Sequence, residues 1–117
     1  MKAYDMSEHW RLVSLDSDPG ADVKISGTFW VKKSRRGEVQ VEAIDVLLWY
    51  GRSGYGRVIR EMHAFITGDQ IRLPHHMIDE RVRDDVIAHQ ELVKEACLAV
   101  ARAPWRPLAE EPPAGEA

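Results

Sequence analysis

The densest group of side chains able to do chemistry lies in the segment 75–80, which reads His-His-Met-Ile-Asp-Glu. In an α-helix, His75 and Asp79 stand four residues apart on one face, and so do His76 and Glu80. Imidazole and carboxylate together suit zinc or another divalent transition metal. No other histidine has a spacing that adds a third ligand. The segment predicts either a weak metal site in a metal-assisted enzyme or a polar helix start whose acids complement the helix dipole.

A second group is basic and surrounds a predicted hairpin turn, with Lys32, Lys33, Arg35 and Arg36 close to Trp30. Basic side chains beside exposed aromatic rings suit single-stranded nucleic acid, because bases stack on the rings and phosphates are neutralised. Residues 24–60 carry eight Lys or Arg against three Asp or Glu, although the whole chain has a net charge of −3. That net charge disfavours a general nucleic-acid binder. The same cations could simply keep an exposed hairpin tip soluble. Nucleic-acid binding through this hairpin is therefore kept as an alternative to protein binding.

The loop 51–57, Gly-Arg-Ser-Gly-Tyr-Gly-Arg, is rich in glycine. It has neither the spacing of a phosphate-binding loop nor that of a dinucleotide-binding turn. Tyrosine and arginine are enriched at the hot spots of protein interfaces. The loop therefore predicts a protein contact through Arg52 and Tyr55.

No residue has the setting expected of a catalytic nucleophile or base. Cys97 lies in an apolar helical run, where a thiol acts as a small hydrophobic group. His89 falls on the apolar stripe of the predicted helix and is expected to be a hydrogen-bonded core residue. Asp45 faces either solvent or a basic partner such as Arg57 or Arg60. We expect no catalytic residue, no cofactor and no enzymatic activity.

The elements that would position these groups change at Pro74. Before Pro74 apolar residues alternate, which predicts strands, and after it they recur every three to four residues, which predicts a helix. Strands are expected over 22–33 and 38–50, joined by a hairpin at 34–37, and over 70–73. Residues 57–67 fit either a strand or one face of a helix, and we favour a strand because glycines stand before and after the segment. Residues 10–16 form either a strand or a helical turn. From Ile44 both faces of the second strand turn apolar, which indicates either a bulge near Ala43 or burial of this end of the strand on both faces.

The helix is expected to begin between His75 and Asp79. Its buried stripe is predicted to contain Ile78, Val82, Val86, His89, Val93, Ala96 and Val100. Ile87 and Leu98 fall on the opposite face, three turns apart. They predict a second contact surface, which would serve a homodimer or another protein.

The predicted fold class is α+β, a small antiparallel meander of four or five strands packed by one long C-terminal helix. Residues 1–103 form a single domain, and the Pro/Glu-rich tail 104–117 is expected to be disordered. The single cysteine fits a reducing compartment, and no apolar run suggests a secretory signal or a membrane span. We therefore expect a cytoplasmic protein that contacts no membrane. Abundant arginine and the absence of asparagine indicate a bacterial or phage origin.

The function predicted from these features is a small non-enzymatic module that binds a protein partner. Inhibitors and immunity-type proteins of phages and mobile elements share its size and its lack of motifs. The expected contact residues are Arg52, Tyr55, Ile87 and Leu98. The alternatives are nucleic-acid binding through the hairpin 32–36 and metal-assisted catalysis in the segment 75–80.

Overall fold

A computed structural model of the chain describes residues 10–18, 20–34 and 37–103. Within these ranges six strands form one antiparallel sheet, followed by a short 3-10 turn and two helices, which confirms the α+β class. The strands are β1 (Trp10–Asp16), β2 (Val23–Lys33), β3 (Val39–Tyr50), β4 (Tyr55–Ile59), β5 (His63–Thr67) and β6 (Gln70–Arg72). The helices are α1 (Arg83–Ala88) and α2 (Gln90–Arg102). The tail 104–117 lies outside the described residues.

The long strand β3 organises the sheet. One of its edges pairs with β2 from end to end, and β2 in turn pairs with β1. Its other edge pairs with β4 near Tyr50 and with β5 near Val39, while β6 continues from β5. Strands β4 and β5 therefore occupy one strand position that is interrupted at residues 60–62. This interruption explains why the sheet has six strands where the sequence predicts four or five.

Of the two explanations for the apolar end of β3, the structure shows the bulge. Thr28 pairs with Asp45 and Phe29 pairs with Ala43, which leaves Ile44 as an extra residue without a partner on β2. On the other edge, the Ala43 amide donates to the Met62 carbonyl at 3.0 Å, beside the interruption between β4 and β5. The bulge and the interruption thus lie at the same level of the sheet, where a bulged strand bends.

The helical region differs from the sequence prediction in its start and its continuity. His75–Met77 form a 3-10 turn, Ile78 returns to an extended conformation, and α-helix begins only at Arg83. His89, with φ −120° and ψ 30°, separates α1 from α2. The buried stripe survives this break, because Ile78 and Val82 reach the core from non-helical backbone.

The core lies between one face of the sheet and the helical layer. Strand residues at alternate positions fill it, among them Ile25, Phe29, Val41 and Leu48, each with no exposed surface. Cys97 is also completely buried. None of the helices within the described ranges combines the length and the apolar character needed to cross a membrane.

Candidate functional site

The face of the sheet directed away from the helices, here called the open face, is not covered by any described element. Register and alternation assign its side chains, because residues paired across antiparallel strands share a face. They include Leu12, Lys24, Thr28, Trp30, Lys32, Gln40, Glu42, Asp45, Leu47, Trp49, Val58, His63, Phe65 and Arg72.

Apolar side chains on the open face form two patches. The first, the Trp49 patch, contains Leu47, Trp49 and Val58, of which Leu47 is 37% and Val58 41% exposed. The second, the Trp30 patch, consists of Trp30 and its cross-strand neighbour Leu12, which is 51% exposed. Large hydrophobic side chains exposed together on a sheet are typical of binding surfaces.

A depression at the Trp49 patch gives it a concave shape. It has a volume of about 280 Å³, with Leu47 and Trp49 as its apolar lining and Lys24 and Asp16 as its charged lining. An apolar pocket bordered by charges can admit a hydrophobic anchor while the rim sets its orientation.

The strip between the two patches is acidic. Asp45 is exposed there, paired in register with Thr28, and it makes no ion pair within the described ranges. Glu42 lies nearby, with its carboxylate oxygen 3.9 Å from His63 Nε2. Of the two environments expected for Asp45, the structure shows the solvent-facing one.

Two aromatic rings near this surface are covered by cations. Lys24 Nζ lies 4.2 Å from the centroid of a Trp49 ring, and the Arg72 guanidinium carbon lies 4.6 Å from the Phe65 centroid. Each cation interacts with the electron-rich face of its ring. A base that stacked on these ring faces would have to displace the cations.

A polar network stands at the opposite, helix-facing side of β3 and β4. The Tyr50 hydroxyl donates to Asp85 Oδ1 at 3.1 Å, and Arg57 Nε lies 3.1 Å from Asp85 Oδ2. Arg57 Nη1 also donates to the Tyr55 hydroxyl at 2.8 Å. The rings of Tyr50 and His89 are 5.0 Å apart, at the break between α1 and α2. These contacts attach α1 to β3 and β4.

Tyr50 serves this network as a hydrogen-bond donor. Burial, followed by the hydrogen bond to Asp85, raises the pKa of Tyr50 to about 12. A phenol with this pKa stays protonated near neutral pH and acts as a hydrogen-bond donor, whereas a general base needs a pKa near the working pH. Burial likewise raises the pKa of the Cys97 thiol to about 12, which agrees with the inert role predicted for it.

A polar depression, here called the arginine notch, lies beside the outer edge of β4. Its volume is about 280 Å³. It is lined by residues from β4, from the interruption that follows β4 and from the turn before α1, namely Gly56, Arg57, Val58, Arg60, Asp79, Arg81 and Val82. Strand β4 pairs only with β3 among the described strands, so its other edge faces this notch.

The contact residues predicted from sequence are not gathered into one surface. Arg52 is exposed and pairs with Asp22 at 2.9 Å, while Tyr55 is 48% exposed and begins β4. Ile87 and Leu98 lie on different helices, because His89 interrupts the predicted single helix. Leu98 is half-buried against the core, so the expectation that both project from the back of one helix is wrong. Their role in partner binding stays a prediction.

The basic hairpin is described in part. Lys32 is on the open face and Lys33 is exposed at the end of β2, whereas Arg35 and Arg36 lie outside the described residues. Lys33, which pairs with Val39, and Arg52, which follows Tyr50, lie near opposite ends of β3, so these two cations do not share a patch.

The predicted metal cluster lacks the helical geometry on which it depends. His75 and His76 belong to a 3-10 turn, and the chain is extended at Ile78 before it reaches Asp79 and Glu80. Asp79 Oδ1 accepts a hydrogen bond from the Arg81 amide at 3.0 Å. In the described part of the chain, no three histidine, cysteine or acidic side chains are grouped as ligands of a metal ion.

Sequence reasoning missed the open face as a site, although its signal was present. Trp30, Leu47, Trp49 and Val58 occupy the solvent-side positions of predicted strands, where polar residues are the norm. The sequence could not reveal whether a second layer covers them.

Comparisons with protein-family models, with curated proteins and with solved structures found no match.

Proposed function

We propose that the protein is a non-enzymatic binding module whose open face docks on a partner protein. The observation that carries this proposal is the placement of exposed apolar side chains. Among the described residues, four large hydrophobic side chains are strongly exposed, and Leu12, Leu47 and Val58 of these four lie on the open face. The fourth, Tyr55, begins β4 and is one of the contact residues predicted from sequence.

The kind of partner follows from the chemistry of the surface. The two apolar patches call for two hydrophobic anchors, and tryptophan side chains such as Trp30 and Trp49 are enriched where such anchors bind. The exposed Asp45 between them calls for a lysine or arginine on the partner, since complementary charge selects the correct partner and orientation. We therefore expect an apolar partner surface with a basic residue between its two anchors.

Single-stranded nucleic acid is the second candidate, because Trp30 and Lys32 adjoin on this face. Three features favour a protein instead. The Trp49 and Phe65 ring faces are already covered by cations. Leu12, Leu47 and Val58 offer no ring for a base to stack on. The carboxylate of Asp45 repels phosphate, and a gel shift at low salt with single- and double-stranded probes tests this alternative.

The main experiment captures partners with the intact protein from cells that carry its gene and then measures affinity with the purified partner. Leu47→Lys and Val58→Lys should each weaken binding at least about tenfold, because a charge enters the apolar patch. Asp45→Lys should weaken binding of a partner with a basic residue at the centre, and acidic substitution of that residue should restore it. Calorimetric titration reports the dissociation constants.

Ala99→Lys serves as the matched control, since it adds the same charge at an exposed position of α2. Ile87→Lys and Tyr55→Ala test the surfaces that the sequence alone suggests. Thermal unfolding of each variant separates lost binding from lost folding. Unchanged affinity in Leu47→Lys and Val58→Lys, with loss in Ile87→Lys, would transfer the site to the helices and refute the open face.

The inhibitor or immunity-type role, the cytoplasmic location and self-association through the helices remain predictions of the sequence. Light scattering of the wild-type protein tests self-association directly. A dimer that is broken by Ile87→Lys and kept by Leu47→Lys would support the helix surface.

A further inference from the structure

We propose that the arginine notch at the edge of β4 binds an oxyanion, a phosphate or carboxylate group of a ligand, through Arg60 and Arg81. The notch adjoins the open face at Val58 but is a separate depression with its own chemistry. This inference is independent of the partner proposed for the open face.

The first observation is the way in which Arg81 is held. Its amide donates to Asp79 Oδ1 at 3.0 Å, and its carbonyl accepts a hydrogen bond from Arg57 Nη2. The side chains of Asp79 and Arg57 thus bind the amide and the carbonyl of Arg81, which is itself exposed. Arg57 is itself fixed by Asp85 and by the Tyr55 hydroxyl, so the wall of the notch is already arranged before a ligand enters.

The second observation is that the side chains of Arg60 and Arg81 have no partner. Neither guanidinium makes a hydrogen bond or an ion pair with any residue in the described ranges, although both line the same depression. By contrast, Arg52 and Arg102 are each paired with a carboxylate. A guanidinium offers a planar pair of donors that matches two oxygens of a phosphate or carboxylate.

Asp79 and Asp85, the two acids that contact arginines lining the notch, each accept a hydrogen bond. Asp79 is the acid that lines it, and its Oδ1 accepts from the Arg81 amide. Asp85 accepts from Tyr50 and pairs with Arg57. The Arg57 charge is balanced by Asp85. By contrast, Arg60 and Arg81 outnumber the single lining carboxylate, that of Asp79, so the notch keeps an excess of positive charge. Gly56 leaves the strand edge beside them free of a side chain.

The experiment titrates the full chain with inorganic phosphate and with glutarate, a dicarboxylate, against chloride at equal ionic strength. Nuclear magnetic resonance follows the amide signals. We expect saturable shifts at Gly56, Val58 and Arg81 with at least one of the two anions. Stronger binding of phosphate indicates a phosphorylated ligand, and stronger binding of glutarate indicates an acidic peptide or a carboxylic acid.

The variant Arg60→Gln/Arg81→Gln should weaken the fitted affinity at least about tenfold, because both charge-assisted contacts are lost. The control Arg52→Gln/Arg102→Gln removes the same charge from paired arginines elsewhere and should keep the wild-type affinity. Stabilisation by excluded salts acts on all three proteins alike and does not produce this difference. The absence of saturable shifts with both anions, or an equal loss in both double variants, overturns the proposal.

Discussion

The buried face and the open face of the sheet are built from alternating residues of the same strands, but their apolar side chains meet different surroundings. On the buried face Leu48 has no exposed surface and contributes to one continuous core. On the open face its neighbour Leu47 is 37% exposed and belongs to a small patch beside Trp49 and Val58. The two leucines are adjacent in the chain, but Leu48 faces the helices and Leu47 faces away from them.

This difference separates residues that stabilise the fold from residues that are available for recognition. Burial removes apolar surface from water during folding, so the buried face has already gained its hydrophobic free energy. The apolar groups of the open face retain part of that gain for a later association. Substitutions on the two faces should therefore affect different measurements.

The largest expected contrast is between Leu48→Ala and Leu47→Ala. Leu48→Ala should lower the free energy of unfolding by about 2–5 kcal/mol, because it leaves a cavity in a closely packed core. Leu47→Ala should lower it by less than about 1 kcal/mol, because much of that side chain is in water already. Urea unfolding of both variants measures the contrast, and equal losses would show that the open face is covered in the native protein.

A second contrast concerns Gly27, which lies on the buried face opposite Val46 with φ +141°. A Cβ atom there would overlap the Asp45 carbonyl oxygen and lie 2.7 Å from Val46 Cα. Gly27→Ala should destabilise the fold by roughly 2–4 kcal/mol, through backbone strain and close contact. Gly54→Ala is the control, since φ is also positive there but no atom lies within 4 Å. Similar unfolding midpoints for the two variants would contradict the crowding at the bulge.

A smaller effect should come from the network that attaches α1 to the end of the buried face. Asp85→Asn removes a carboxylate that raises the pKa of Tyr50. The pKa should fall from about 12 toward the ordinary value of 10.0 and remain above it, because burial is the larger cause. Ultraviolet titration of the phenolate, with Tyr50→Phe identifying the signal, measures the change. A pKa that is unaltered in Asp85→Asn would exclude the contact with Asp85.

The same pKa fixes the direction of a pH effect on stability. Because the pKa of Tyr50 is higher in the folded chain, its contribution is complete below pH 10 and is lost as the pH rises toward 12. Wild-type protein should lose more stability than Tyr50→Phe across this interval. Chemical unfolding at a series of alkaline pH values checks the difference, and parallel curves would argue against it.

The last prediction concerns the access of a reagent to Cys97 and needs no substitution. Cys97 is completely buried and its pKa is about 12, so an alkylating reagent should modify it only when the protein unfolds. Alkylation followed by mass spectrometry should give a rate that rises with denaturant. Rapid modification of the native protein would show that the layer between α2 and the sheet opens easily.

Local patterns in the chain predicted the parts of the fold that depend on neighbouring residues. Alternation defined β2 and β3. The double-sided apolar stretch after Ala43 left a bulge and two-sided burial as alternatives, and the strand register decided for the bulge. The helical stripe also identified buried residues of the C-terminal region, although His89, which was expected in the core, is only partly buried. The prediction of one continuous helix was wrong. Ile78 and Val82 are buried from extended and turn backbone, although their spacing in the chain resembles that of a helix.

The sequence by itself determined the class of the fold, the positions of β2 and β3 and the absence of a recognisable catalytic motif. Only the tertiary structure decided which face of the sheet is covered, since the described part of the chain has one helical layer and a sheet has two sides. It also brought Arg57 to Asp85 and Arg60 to Arg81, pairs separated by more than twenty residues that no local period connects. Local periodicity follows from the geometry of each element, whereas the two surfaces proposed for binding follow from how the elements pack together.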